Sequence, residues 1–467
     1  MIVLRVLFYQ IKISLIFILV NLMISSSNPA IGQTLEFNTL LTRVYDHSHD
    51  LKLANVDIEI NRQRLKETRA AYFPSLNLRY TNEWFEDLTD GGGSLDSVGG
   101  TVISASGSKW KNVLGASLHY NLYDFGARRN LYENARRDVA IARLTKSQGR
   151  ISLGLQVLEL YSQGLKSQEE LQNQELVCGL RQEIFALSQR LNQAGGLDRL
   201  QMGEAAIAVA EAGQRLDELI MVQAEVLQGI TRLSGEVYDV QSTLFSPLMP
   251  AGDISSFDIT ALPEIQAYNL AIAKKEAEYR VARTSYLPRF SLYSSYSFYG
   301  SDSADWSRSM DNLAETNFAC GIMMDLNVFN GFADQAKAAR LQAEVRRLKI
   351  EREKKIAEQE QTYRSLQHHA RLFTQRSKQW QGFRDGLGSQ AGMTERLARE
   401  QLEGRLSIIN RQVELAAKGL QARLLAIDRA TTLLKLQIMA EGQYEDGALT
   451  LKSYPPPSTI GTGDMYE

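Results

Sequence analysis

The sequence predicts a mixed fold: four transmembrane β-strands per chain, pooled with those of other copies into a barrel, joined to a long, coiled-coil-like α-helical barrel. Three observations carry that reading. The chain writes one unit twice, its short segments alternate with a period of two, and its longest segments run without proline at helical spacing. Residues 51–74 laid without a gap on 265–288 bring Arg69 onto Arg283, Tyr72 onto Tyr286 and Pro74 onto Pro288. Asn121-Leu122-Tyr123-Asp124-Phe125-Gly126 likewise answers Asn327-Val328-Phe329-Asn330-Gly331-Phe332. A duplication fixes the architecture before any residue chemistry is read. Each unit reads helix, proline, strand, connection, strand, small-residue turn at Gly126 or Gly331, very long helix, turn, helix.

Arg5 and Lys12 precede an apolar run, followed by three serines and Ala30-Ile31-Gly32. This is the pattern of a secretory signal over residues 1–32, cleaved after Gly32. The run of about 12 apolar residues is short of the roughly 20 that span a bilayer. The first repeat is then 33–246, the linker 247–263 and the second repeat 264–446, leaving a disordered tail at 447–467, rich in proline and glycine. A net charge of −2 on 467 residues excludes the strong basic excess of a nucleic-acid surface. The two cysteines, Cys178 and Cys320, lie in unlike segments and suggest neither a disulfide framework nor a zinc site.

The strands are expected at about 75–86, 110–122, 289–299 and 317–328. In the second, Trp110, Asn112, Leu114, Ala116, Leu118, Tyr120 and Leu122 share one, apolar face while Lys111, Val113, Gly115, Ser117, His119 and Asn121 share the other, mostly polar one. In the fourth, Phe318, Cys320, Ile322, Met324, Leu326 and Val328 oppose Ala319, Gly321, Met323, Asp325 and Asn327. Lengths of about 9 to 13 residues suit tilted membrane strands, and Tyr and Trp gather near the ends. A soluble sheet with one face on a core would alternate in the same way, but here the flanking helices must run away lengthwise. The connections, around 87–108 and 300–315, are polar, turn-rich and suited to external loops. Four strands cannot close a barrel, so copies must pool them; two copies would supply eight and three would supply twelve.

After Gly126 no proline occurs until Pro247, and the second copy repeats this after Gly331. Ile151, Leu155, Leu158 and Leu165 recur at helical spacing, as do Leu341, Val345 and Leu348. Roughly 70 helical residues extend about 100 Å. The helices fold back at two matching tips, Gly195-Gly196-Leu197-Asp198 and Gly404-Arg405-Leu406-Ser407. The glycines release the backbone, and Asp198 and Ser407 suit the N-cap of each returning helix. Leu197 and Leu406 look exposed there, which suits docking; sealing against neighbouring helices is the plainer reading.

No phosphate loop, nucleophile elbow or metal-spaced His/Cys set occurs, so no enzyme activity and no cofactor are expected. His368 and His369 are adjacent and point about 100° apart on a helix, too divergent to share a metal. Asp46, His47, His49 and Asp50 form a weak metal candidate near the start of the first repeat.

The landmarks Tyr72-Phe73-Pro74, Tyr286-Leu287-Pro288 and the two turn motifs, in the right order twice, resemble the TolC-like outer-membrane channel family over nearly everything after residue 32. The resemblance implies a homotrimer with twelve strands in the lipid of the outer membrane and a helical tunnel in the periplasm. It also implies passive conduction of small molecules or proteins within a tripartite efflux pump or type I secretion system. The partners would be a periplasmic adaptor and an inner-membrane RND pump or ABC exporter. The family's entrance and adaptor-docking roles carry over onto 195–198 and 404–407. Entrance lining falls on Asn410 and Arg411, where relatives often carry acidic residues, so a cation-selective ring is not carried over. The competing reading is a secreted coiled-coil structural or adaptor protein without a barrel.

Overall fold

A computed structural model describes residues 33–84, 94–98, 101–105, 110–240, 242–250, 257–399 and 404–441. The expected signal segment and tail lie outside them. The first repeat holds β1 (Gln33–Leu35), α1 (Phe37–His47), α2 (His49–Ala70), β2 (Ser75–Trp84), β3 (Ser94–Val98), β4 (Thr101–Ala105), β5 (Trp110–Tyr123), α3 (Ala127–Gln193), α4 (Arg199–Ser234) and β6 (Thr243–Phe245). The second holds α5 (Pro263–Arg283), β7 (Arg289–Asp302), α6 (Trp306–Asp311), β8 (Glu315–Asp325), α7 (Ala333–Arg399) and α8 (Arg405–Glu441). Helices α3 and α7 each have 67 residues and no internal proline, a length of about 100 Å.

The chain divides into two compact units, each assembled from pieces of both repeats. One unit contains the main sheet, with strand order β2-β5-β7-β8 and antiparallel pairing throughout. The strands of each repeat pair with each other, and β5 joins β7 to unite the repeats. In the same unit α5 is tied to the start of α3 by Lys274–Asp138 at 2.7 Å, and to the start of α7 by Lys275–Glu344 at 3.1 Å and Lys349–Glu276 at 2.9 Å.

The other unit has its core where α1, α3 and α4 meet the two-stranded parallel ribbon β1-β6. Leu40, Val44, Val157, Leu227 and Ile230 fill it. Tyr161, with no exposed surface, is its hub. The Tyr161 hydroxyl lies 2.7 Å from the carbonyl oxygens of both Leu35 and Ser246, and its ring stands edge-on to Phe37 and Phe245. Burial pushes the phenol well above its ordinary pKa, so it stays protonated. Gly164 is required beside it, because a Cβ there would meet the Phe245 ring at 2.4 Å.

In this unit α3 and α8 run antiparallel, stitched by Glu159–Lys435 at 2.5 Å, Lys166–Asp428, Glu169–Arg423 at 2.7 Å and Glu183–Arg405 at 2.5 Å. A hydroxyl bond from Thr431 to Ser162, 2.9 Å, sits buried within the ladder.

Several expectations need correction. The first connection, read as a polar, turn-rich loop, contains the antiparallel pair β3-β4, with Val98 opposite Thr101. The second connection is replaced by a longer β7 and by α6, whose N-cap Asp305 accepts from the Ser307 amide at 3.1 Å. Strand β8 stops at Asp325 rather than at 328.

Candidate functional site

The first candidate surface is one face of the main sheet. Register places Leu78, Ala116, Tyr296 and Phe318 on one rung and Leu76, Leu118, Ser294 and Cys320 on another, two positions along. Side chains two positions apart point the same way, so the apolar set of every strand falls on a single face. Leu76 and Leu78 are 74% and 76% exposed, and Phe318 and Ile322 are 67% and 68% exposed. The opposite face carries Asn77, Ser117 and Ser295, then Arg79, Ser297 and Asn317. An uncovered apolar face this broad suits hydrocarbon, and the polar face suits water. At the loop end the apolar face closes over: the Asn112 amide donates to the Ser309 hydroxyl of α6 at 2.9 Å and accepts from Tyr80 and Asn82.

The second surface comprises the two strand-to-helix junctions. Pro74 and Pro288 each end a turn immediately before β2 and β7. After β5, Asp124 caps α3: its carboxylate accepts from the amides of Gly126 at 3.2 Å and Arg128 at 3.0 Å, and pairs with the Arg128 guanidinium at 3.0 Å. An anion there also meets the positive end of the helix dipole. Two consecutive residues take left-handed backbone at each junction, Phe125 and Gly126 in the first, Gly331 and Phe332 in the second. The repeats differ beside them. In the first, Arg128 lies over the Tyr72 ring and Tyr132 stands edge-on to it. In the second, Asp334 and Ala338 stand at the matching positions and leave a cavity of about 550 Å³ against Tyr286, Phe329 and Phe332.

The third surface is the pair of tips. Gly195 is left-handed, and the Gly196 amide reaches back to the Leu191 carbonyl at 2.9 Å, closing α3 as a glycine C-cap does. The Asn192 side chain donates to the Leu197 carbonyl at 2.8 Å and braces the turn. Asp198 occupies the N-cap of α4 but makes no side-chain capping bond. Ser407 is not a cap: α8 starts at Arg405, so Gly404 precedes it and its carbonyl accepts from Ser407 and Ile408. Leu197 and Leu406, expected to be exposed, are half-buried; Leu200, the second residue of α4, is 69% exposed instead. The exposed side of a helix cannot be assigned until the partner helix is known, which is why Leu200 was missed. Arg405 is engaged by Glu183 across the helices, while Asn410 is exposed and Arg411 half-buried.

The remaining candidates do not assemble. The rings of His368 and His369 lie 6.5 Å apart, and His47 and His49, on separate helices, bring their rings to 5.4 Å without a third ligand among the described residues. Among the described residues no three His, Cys, Asp or Glu side chains could hold a metal ion, and no helix is long and apolar enough to cross a membrane.

With this geometry in view, residues 40–236 match the family described as outer membrane efflux protein. No curated protein matches by sequence. Solved structures match along most of the chain. CusC has 16% identity and a TM-score of 0.73, covering 88% of this chain and 93% of its own. The outer membrane protein VceC of Vibrio cholerae has 14% identity and a TM-score of 0.70, covering 87% and 96%. The outer membrane channel CmeC of Campylobacter jejuni has 14% identity and a TM-score of 0.70, covering 89% and 88%.

Proposed function

We propose that the chain is a member of the outer membrane efflux protein family and the exit duct of a tripartite efflux pump or type I secretion system, because residues 40–236 match that family and the fold matches those of CusC and VceC. Three copies pool twelve strands into one barrel in the outer membrane, and their long helices form a tunnel in the periplasm. The observation that carries this reading is the exposed, mostly apolar face running across an open four-stranded sheet, on a chain whose helices α3 and α7 each extend about 100 Å. A secreted coiled-coil protein has no use for such a face. The duct conducts passively, driven by an inner-membrane RND pump or ABC exporter through a periplasmic adaptor.

The tips, 195–198 and 404–407, dock the adaptor, and Asn410 and Arg411 line the entrance. The test is the double variant Leu197→Asp, Leu406→Asp. Export and copurification of the adaptor should be lost while outer-membrane insertion and the heat-modifiable oligomer persist. Normal export overturns the docking role, and failure to assemble assigns both leucines to sealing the helices.

A further inference from the structure

The duplication supplies an internal control for the hollow at the second strand-to-helix junction. In the first repeat the Tyr72 ring is covered from within the chain: the Arg128 guanidinium lies over it at 5.4 Å and the Tyr132 ring stands edge-on at 6.3 Å. The internal alignment puts Tyr286 at the place of Tyr72, Asp334 at the place of Arg128 and Ala338 at the place of Tyr132. The second junction thus keeps the ring and lacks both the cation and the phenol that cover the first one. Tyr72 is half-buried, whereas Tyr286 is 65% exposed.

The space so left has a definite chemistry. Tyr279 from α5, Tyr286 from the turn after it, and Phe329 and Phe332 from the turn before α7 line a volume of about 550 Å³, a size that takes a small organic molecule. The Phe329 and Phe332 rings stand at 90° with centroids 5.4 Å apart and form a corner. Where the first repeat presents a guanidinium, this lining presents the Asp334 carboxylate. Arg283, the other charged group of the lining, is directed to the Tyr279 ring of its own helix at 6.0 Å. Aromatic faces attract cations through the ring quadrupole, and several rings beside a carboxylate suit a cation whose charge is wrapped in methyl groups.

We infer that this hollow binds a quaternary ammonium group carried on an apolar body. The charge sits on the Tyr286 face beside Asp334, and the body lies in the Phe329–Phe332 corner. A metal ion is a poor alternative, since among the described residues no three His, Cys, Asp or Glu side chains come together to hold one. The whole lining belongs to one repeat and one compact unit, so the site is complete without a contribution from another copy. Two sources carry such a group: a soluble amphiphilic cation, or the choline headgroup of a membrane lipid at the level where the apolar sheet face ends.

Titration calorimetry of the full chain in an uncharged detergent tests the site, with benzyltrimethylammonium as probe and benzyl alcohol as its uncharged counterpart. One probe should bind per chain, and benzyl alcohol at least about tenfold more weakly. Asp334→Asn should weaken the probe about tenfold, and the pair Asp334→Arg, Ala338→Tyr, which rebuilds the first junction in the second, should abolish binding. The reverse exchange, Asp124→Asn with Arg128→Asp and Tyr132→Ala, should raise the count from one to two per chain, a gain that misfolding cannot mimic. Equal affinity for benzyl alcohol, or indifference to Asp334→Asn, overturns the site. In nanodiscs, weaker probe binding in phosphatidylcholine than in phosphatidylethanolamine assigns the site to the lipid headgroup, and equal binding assigns it to the soluble cation. The heat-modifiable oligomer is read on the same samples: an intact oligomer with no probe bound overturns the site and leaves the duct standing.

Discussion

Tyr161 concentrates what single residues contribute. Its hydroxyl answers two main-chain carbonyls from segments far apart in sequence, Leu35 and Ser246. Tyr161→Phe removes the one hydroxyl proton shared between them, while the Leu35 carbonyl keeps the Ser246 amide, and should lower stability by about 1 kcal/mol, read as a lower thermal midpoint in detergent. Glu159 offers a pH test. Its bond to Lys435, helped by Lys166, holds the carboxyl below the usual carboxylate range. Because the folded-state pKa is depressed, the stabilisation is complete above the ordinary carboxylate value of about 4.3 and is lost as pH falls through the lowered one. Lys435→Met should therefore flatten the loss of stability below about pH 4 in a pH series of melting curves. Neither residue was legible in the sequence, since what each touches depends on how distant segments align. Capping misled for a related reason: Asp198 and Ser407 have suitable side chains, but backbone geometry decides whether they are used.

The elements were far more legible. Alternation in β5 and β8 shows in the residues themselves, and the absence of proline from α3 and α7 leaves little but helix. Strand ends were less legible because they depend on the neighbouring strand, as the early end of β8 shows, and β3-β4 lies in a segment whose many glycines read as loop. The face assignment gives a direct test. Single cysteines replacing Leu78 and Ile322 should react with a membrane-dissolved probe, and those replacing Ser117 and Asn317 with an aqueous one, with labelling ratios inverted at least about tenfold between the sets. Equal aqueous labelling of both would remove the barrel.

For the molecule as a whole, the duplication was the most informative thing in the sequence, and assembly is what it leaves to be measured. Open edges at β2 and β8 cannot persist in hydrocarbon, where unpaired backbone groups cost several kcal/mol each. Native mass spectrometry from mild detergent should accordingly find three copies, and a stable monomer embedded in lipid would contradict the fold's logic. The cavity beside Tyr286 bears on stoichiometry. It forms where Ala338 stands in place of the first repeat's Tyr132, so the two described junctions of a chain differ, whereas a helix tip occurs twice. In the proposed three-copy ring, hollow and filled junctions would alternate. A partner reading the tips alone would count repeats and find six nearly equal seats; a partner also reading the hollows would count chains and find three.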